Sequence, residues 1–152
     1  MDRIMEPLRR IDALLSHIPP GFDSLLSRLA IAQVFWASGQ TKVEGFGLKP
    51  GIVDLFREEY HLPLVPPEIA APLAATAEHV FPILLVLGLF TRLSALGLLG
   101  MTAVIQIFVY PESWTVHILW AAILVHLIRA GSGPIALDAY FPTTYHRKVT
   151  GQ

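Results

Sequence analysis

Cysteine does not occur among the 152 residues. Its absence excludes disulfides, thiolate metal sites, iron–sulfur clusters and thiol redox chemistry. Quinone reductases that work through a Cys pair inside a four-helix bundle are excluded as mechanistic models for the same reason. Charge is scarce too: Asp, Glu, Lys and Arg make up 15% of the chain, against roughly a quarter in ordinary soluble domains. The formal net charge of −1 supplies no basic field for nucleic acid. Neither a glycine-rich phosphate loop nor a zinc-spaced Cys/His cluster is found.

What the chain has in quantity is hydrocarbon. Hydrophobic residues account for 53% of it, and the mean hydropathy is +0.55. A chain this short keeps much of its surface outside any core, so so little charge points to lipid as the outer solvent. The reading is an all-α, integral membrane four-helix bundle in a single domain, with an N-terminal amphipathic helix and a partly helical outer loop. Residues 1–18, within a leader of about 1–20, carry Ile4, Leu8, Ile11, Leu14 and Leu15 at helical spacing opposite Arg3, Arg9, Arg10 and Asp12. Such a helix lies on a membrane surface. The charged N-terminus and the late first apolar run, after Pro19-Pro20-Gly21, predict no cleavable signal peptide.

Four spans are expected, over residues 22–39, 69–90, 93–110 and 114–130, each matching the length that crosses about 30 Å of hydrocarbon. Thr91-Arg92 and Pro111-Glu112-Ser113 read as tight turns, which makes the last three spans antiparallel neighbours. Residues 40–67 form a long polar connection, with a helical piece expected near 50–60, because structureless loops of that length are unusual. Residues 131–152 form a tail. Arg3, Arg9, Arg10, Arg92, Arg129, Arg147 and Lys148 fall on one side; Lys42, Lys49 and Arg57 fall on the other. The positive-inside rule then places both termini in the cytoplasm and the long loop outside. Trp36, Tyr110 and Trp114 sit near the outer ends, as interfacial aromatics do.

Three stretches occur in a distinctive order. The first helix carries Arg28-Leu29-Ala30 and ends Ser38-Gly39-Gln40-Thr41-Lys42. The second carries Ala77-Glu78-His79 and closes Leu87-Gly88-Leu89-Phe90-Thr91-Arg92. Gly131-Ser132-Gly133-Pro134-Ile135-Ala136-Leu137-Asp138 follows the fourth. Together they resemble the DoxX-like family of small membrane proteins, over about residues 22–140. Ala136 departs from the Ser often found there. The resemblance implies a four-helix protein of the inner (plasma) membrane. Some members are similar to a small subunit associated with thiosulfate:quinone oxidoreduction. Others are similar to products encoded beside metal- or oxidative-stress genes and small secreted metal-binding peptides. Pro63, Pro66 and Pro67 with the Glu78-His79 pair look closest to this second group.

Ionisable groups inside a membrane usually point into the bundle. Here they are Arg28, Glu78, His79, His117 and His126, with Gln33 and Gln106 as polar companions. Helix rise puts Glu78 about 13 Å below the outer boundary, with Gln106 at about the same depth, and Arg28 about 9 Å above the inner one. Arg28 and Glu78 are therefore expected within reach of each other, as a structural ion pair. The other role open to Glu78 is proton carrier or headgroup anchor, with Arg28 tuning its charge. His117 lies about 5 Å below the outer boundary and can meet His79 or Glu78, which would make a two-residue quinone or metal site. His117 and His126 face opposite sides of their helix. A haem between two His would need nearly the whole bundle interior. Pro82 frees the carbonyl of Glu78. Ala71, Ala74 and Ala75, like Gly97, Gly100 and Ala103, form small-residue ridges that read as packing seams, within the bundle or in a homo-oligomer.

The functional expectation is an accessory membrane subunit of a stress-linked redox or metal-handling system, with a protein partner there, binding a quinone or other lipid-soluble ligand near Glu78 and His79. If it catalyses, it does so as a quinone-using oxidoreductase subunit. A transport or export helper for a small metal-binding peptide is the remaining class.

Overall fold

The computed structural model describes residues 19–60, 62–63 and 65–140. The amphipathic leader expected over residues 1–18 and the tail beyond residue 140 lie outside the described residues. The described chain is mostly helical. Helix α1 is Phe22–Lys42, α2 is Ile52–Leu55 with a π-helical continuation Phe56–Tyr60, α3 is Pro67–Leu87, α4 is Thr91–Val104 with a π-helical continuation Ile105–Val109, and α5 is Trp114–Ala130. A 3-10 turn, Leu137–Tyr140, follows. The long connection also holds a two-residue hairpin, Val43–Glu44 paired antiparallel with Gly47–Leu48. A strand pair that short leaves no alternating pattern to read.

The four long helices alternate in direction and pack as a ring: α1 against α3 and α5, and α4 against α3 and α5. Ile31, Phe35, Leu85, Leu98, Leu124 and Leu127 meet at its centre. Large apolar side chains, among them Leu26, Ile83, Leu96, Ile107 and Leu119, are exposed on the outward faces. The segments Pro67–Leu87 and Thr91–Val109 are long and apolar enough to cross a membrane, and Trp114–Ala130 is apolar but shorter.

The two ends of the ring differ. One, the terminal end, is knotted. Arg28 is fully buried and donates to the carbonyls of Leu85 (3.0 Å), Val86 (3.3 Å) and Ile135. They lie at the end of α3 and in the segment after α5, where carbonyls lack full intrahelical pairing. The turn between α3 and α4 falls at residues 88–90 rather than at Thr91-Arg92, because Gly88 ends α3 in a left-handed conformation (φ 69°). Gly88 N–H bonds the Leu85 carbonyl and Leu89 N–H the Leu84 carbonyl, a Schellman closure. Thr91 is thereby freed to begin α4. Asp138 caps that start from afar, its carboxylate accepting from Phe90 N–H (3.2 Å) and Thr91 N–H (3.4 Å). Ser24 Oγ donates to the Gly131 carbonyl at 2.6 Å.

Gly88 is the pivot of this knot. A Cβ there would lie 2.5 Å from Arg28 Nη1 and 2.5 Å from Ala136 Cβ. Gly88→Ala is expected to lower stability by about 1–3 kcal/mol, through both the left-handed backbone and the overlap. Thermal unfolding in detergent measures it, and an unchanged midpoint would show that the knot yields freely.

Candidate functional site

The other end, which carries the long connection and the Pro111 turn, is open. A cavity of about 430 Å³ lies between the helices there, within the range of small-molecule sites. Phe35, Ala74, Met101, Ile105 and Trp120 make apolar walls, and Phe56, Tyr60 and Leu62 from the long connection also border it. Its polar groups are few: Ser38 and Lys42 from α1, Glu78 from α3, His117 from α5, and the hydroxyls of Tyr60 and Tyr110.

Glu78 and Lys42 form a buried ion pair. Lys42 Nζ stands 2.8 Å from Glu78 Oε2 and 3.0 Å from Oε1. Their side chains are 7% and 3% exposed. Ser38 Oγ accepts from Lys42 Nζ at 3.0 Å and donates to Oε1 at 3.2 Å. Oε2 lies close to the ammonium, is itself buried, and receives no well-directed hydrogen bond among the described residues. A buried pair is tolerated only with this kind of support.

Local sequence explains the partnership. Phe35, Ser38 and Lys42 share one face of α1 at three- and four-residue steps. Gly39 lets α1 approach α3 at the level of Glu78: a Cβ there would meet the Glu78 Cβ at 3.2 Å and the His79 ring at 2.7 Å. The helix also runs on through Lys42 instead of stopping at 39. Arg28 is therefore not the partner of Glu78. It lies about 16 Å of helix rise below Gly39 and spends its donors on backbone carbonyls at the terminal end. Lys42, Ser38, Tyr60 and Tyr110 are not among the candidate site residues that the sequence suggests. The available signal was the Ser38-to-Lys42 spacing, which continues the α1 face past its expected end.

His117 and Gln106 are brought together. Gln106 Nε2 donates to the Pro111 carbonyl at 2.7 Å, which orients its amide so that Oε1 faces His117 Nδ1 at 2.7 Å. Nδ1 therefore carries the proton, and Nε2 of the neutral ring keeps its lone pair. The ring packs against Trp120, with centroids 4.9 Å apart.

His79 turns elsewhere. Its Nδ1 is 2.6 Å from the Ala75 carbonyl and its Nε2 is 2.9 Å from Gln40 Nε2. Its ring meets Trp36 edge-on at 4.9 Å, and it does not border the cavity. The expected pairing of His79 with His117 is thus not formed, because Gly39 draws His79 against α1. His126 stands 3.5 Å from Asp23 at the terminal end. No cluster of three or more metal-ligating side chains occurs among the described residues. Burial pushes the Tyr60 hydroxyl well above the usual tyrosine range, with Tyr110 and Glu78 adding to the effect. Tyr60 is accordingly a neutral donor at physiological pH.

The DoxX family model matches residues 24–111, more than half of the chain. The chain belongs to the DoxX family. A Haemophilus influenzae protein, described only as uncharacterized, is 28% identical over 145 residues, covering 90% of this chain and 95% of that protein. No solved structure matches the chain. As a DoxX protein it is a membrane protein, in keeping with the two helices able to span a bilayer. The DoxX match contains Glu78, Lys42 and His117's partner Gln106, but ends before His117 itself.

Removing one member of the ion pair strands the other charge. Lys42→Met or Glu78→Leu alone is expected to cost about 3–5 kcal/mol, whereas the double variant recovers most of that loss. Unfolding midpoints of the two single variants and the double variant decide it. Strictly additive losses would mean that the two side chains do not interact.

Proposed function

We propose that this DoxX protein spans the inner membrane as a four-helix bundle with both termini cytoplasmic. Its cavity holds the polar head of a lipid-soluble ligand, specifically a quinone, and the protein serves as an accessory subunit of a stress-linked redox or metal-handling system. The observation that carries this reading is the combination within one space: apolar walls, a buried Lys42–Glu78 pair, and His117 on a separate helix. Quinone carbonyl oxygens accept hydrogen bonds, which the neutral Tyr60 hydroxyl can donate, as can Lys42 by exchanging its long 3.4 Å bond to the Ser38 carbonyl. Quinol hydroxyls donate, and His117 Nε2 and the Glu78 carboxylate can accept. These groups would bind and orient the ring and hold its protons. The electron chemistry belongs to the quinone itself and to a redox centre on a partner protein. A membrane subunit of a thiosulfate:quinone type of oxidoreductase would use the cavity in the same way.

The outward apolar side chains support the bundle reading. The export-helper reading has less support. The cavity is separated from the terminal end by the apolar layer of Ile31, Leu85, Leu98, Leu124 and Leu127, which offers a polar cargo no continuous path.

Trp120 borders the cavity and can report on it. With Trp36 and Trp114 changed to Phe, a tailed quinone is expected to quench Trp120 fluorescence saturably in detergent. Glu78→Gln should weaken that binding by about tenfold or more, the effect of losing a charge-assisted hydrogen bond. Quenching that never saturates, or that ignores Glu78→Gln, would refute the quinone site.

The cysteine-free chain also makes orientation directly testable. Phe46, fully exposed at the hairpin tip, becomes a label site as Phe46→Cys. It is expected to react with a membrane-impermeant maleimide in cells whose outer membrane has been permeabilised, whereas Ser132→Cys should react only after the inner membrane is opened. The reverse pattern would invert the proposed orientation.

A further inference from the structure

The α3–α4 contact changes character within one helical turn. At Gly97 a Cβ would fall 2.7 Å from the Phe81 ring, so the ring closes the space between the helices. At Gly100, three residues along, a Cβ would meet nothing within 4 Å. The helices are antiparallel, so moving from Gly97 to Gly100 on α4 matches moving from Phe81 back to Glu78 on α3. The gap therefore begins at the depth of the carboxylate. Across it α3 presents Ala77 and Ala74, whose methyl groups are too short to bridge the space. Of the Gly97, Gly100 and Ala103 ridge, Gly97 packs tightly against α3 and Gly100 does not.

Gly100, Leu73 and Val104 border the cavity, and all three are also exposed on the outer surface, Leu73 by 63% and Val104 by 40%. Residues that belong both to a cavity wall and to the outward face mark a mouth. The α4 backbone relaxes into its π-helical stretch at Ile105, directly above this point, and such stretches are frequent at functional sites. Over the loop end the buried Phe56 and the Tyr60–Tyr110 ring pair, 6.1 Å between centroids, narrow the cavity, and Val65 and Tyr110, which line it and are 38% and 48% exposed, mark a second opening there.

We infer that the cavity is entered sideways from the lipid, through the α3–α4 cleft at Gly100, and that its ligand keeps a hydrocarbon tail in that cleft between Leu73 and Val104 while its head lies at Glu78. The inference rests on the reading of the cavity as a site for a lipid-soluble ligand, and adds the route and the requirement for a tail. A ligand reduced to its head would forfeit the apolar burial in the cleft, which for two isoprene units is worth more than about tenfold in affinity.

The test uses two quinones with the same head, one without a tail and one with two isoprene units, titrated against Trp120 fluorescence in the full-length protein. Gly100→Leu fills the mouth: its Cβ meets open space and Leu suits a helix better than Gly, so the fold is retained, as thermal unfolding would verify. Val65→Phe is the counterpart at the loop end, where Val65 borders the cavity and is exposed. The wild type is expected to prefer the tailed quinone by more than about tenfold. Gly100→Leu should remove that preference while changing tail-less binding by less than about threefold, and Val65→Phe should leave it in place. Loss of the preference in Val65→Phe but not in Gly100→Leu would move the entrance to the loop end and overturn the inference. Equal weakening of both quinones by Gly100→Leu would overturn it as well, by showing that the new side chain occupies the head site. If the wild type binds neither quinone, the quinone reading fails first and this inference falls with it. If the wild type binds both equally, only the sideways entry fails.

Discussion

A lysine and a glutamate buried together among hydrocarbon side chains constrain this molecule more than any other contact. Either charge alone in that setting would cost several kcal/mol, so the last turn of α1 must reach the middle of α3. Gly39 makes the approach close enough, and Ser38 satisfies part of both charged groups. Replacing such a pair with well-packed apolar residues is often neutral or stabilising. Its retention here is better understood through what it does next to an open space. It holds a negative and a positive group at fixed positions against a cavity whose walls are mostly apolar.

The ring of helices divides its tasks between its ends. At the terminal end polar groups tie chain to chain: Arg28 across three carbonyls, Gly88 in its left-handed turn, Asp138 over the start of α4. At the loop end small residues leave room, and the long connection borders the resulting cavity. The stretches that carry the resemblance to DoxX proteins fall at both ends: Arg28, the Gly88 turn and the Gly131-to-Asp138 segment at the knotted end, Ser38-to-Lys42 and Ala77-Glu78-His79 beside the cavity. Family membership does not name a ligand, which has to be argued from the cavity.

The helices were legible because apolar runs of spanning length are separated by turn residues, a strong signal. Their ends were less so: the second turn sits three residues early, since a left-handed glycine outranks the apolar residues that follow it. The candidate site was legible in its isolated charges and not in their pairing. Glu78 stood out as a carboxylate within an apolar run, and it does border the cavity together with His117. Its partner went unrecognised because helix rise from assumed boundaries brought Arg28 near, while Lys42 was read as a loop charge. One extra turn of α1 reverses that assignment. His79 adjoins Glu78 in sequence, yet adjacent residues on a helix point about 100° apart, and its ring is claimed by Ala75, Gln40 and Trp36. The cavity itself depends on how far α3 and α4 diverge beyond Phe81, which no local pattern encodes.

The central claim is that the space beside Glu78 is a ligand site and not a packing defect. Its most direct test is to extract the protein from its native membrane into nanodiscs and record native mass spectra, with density for the cavity from the same sample. The account predicts one tailed quinone bound per chain, its head against Glu78 and Lys42. A cavity collapsed around the ion pair, with only bulk phospholipid carried along, would contradict it.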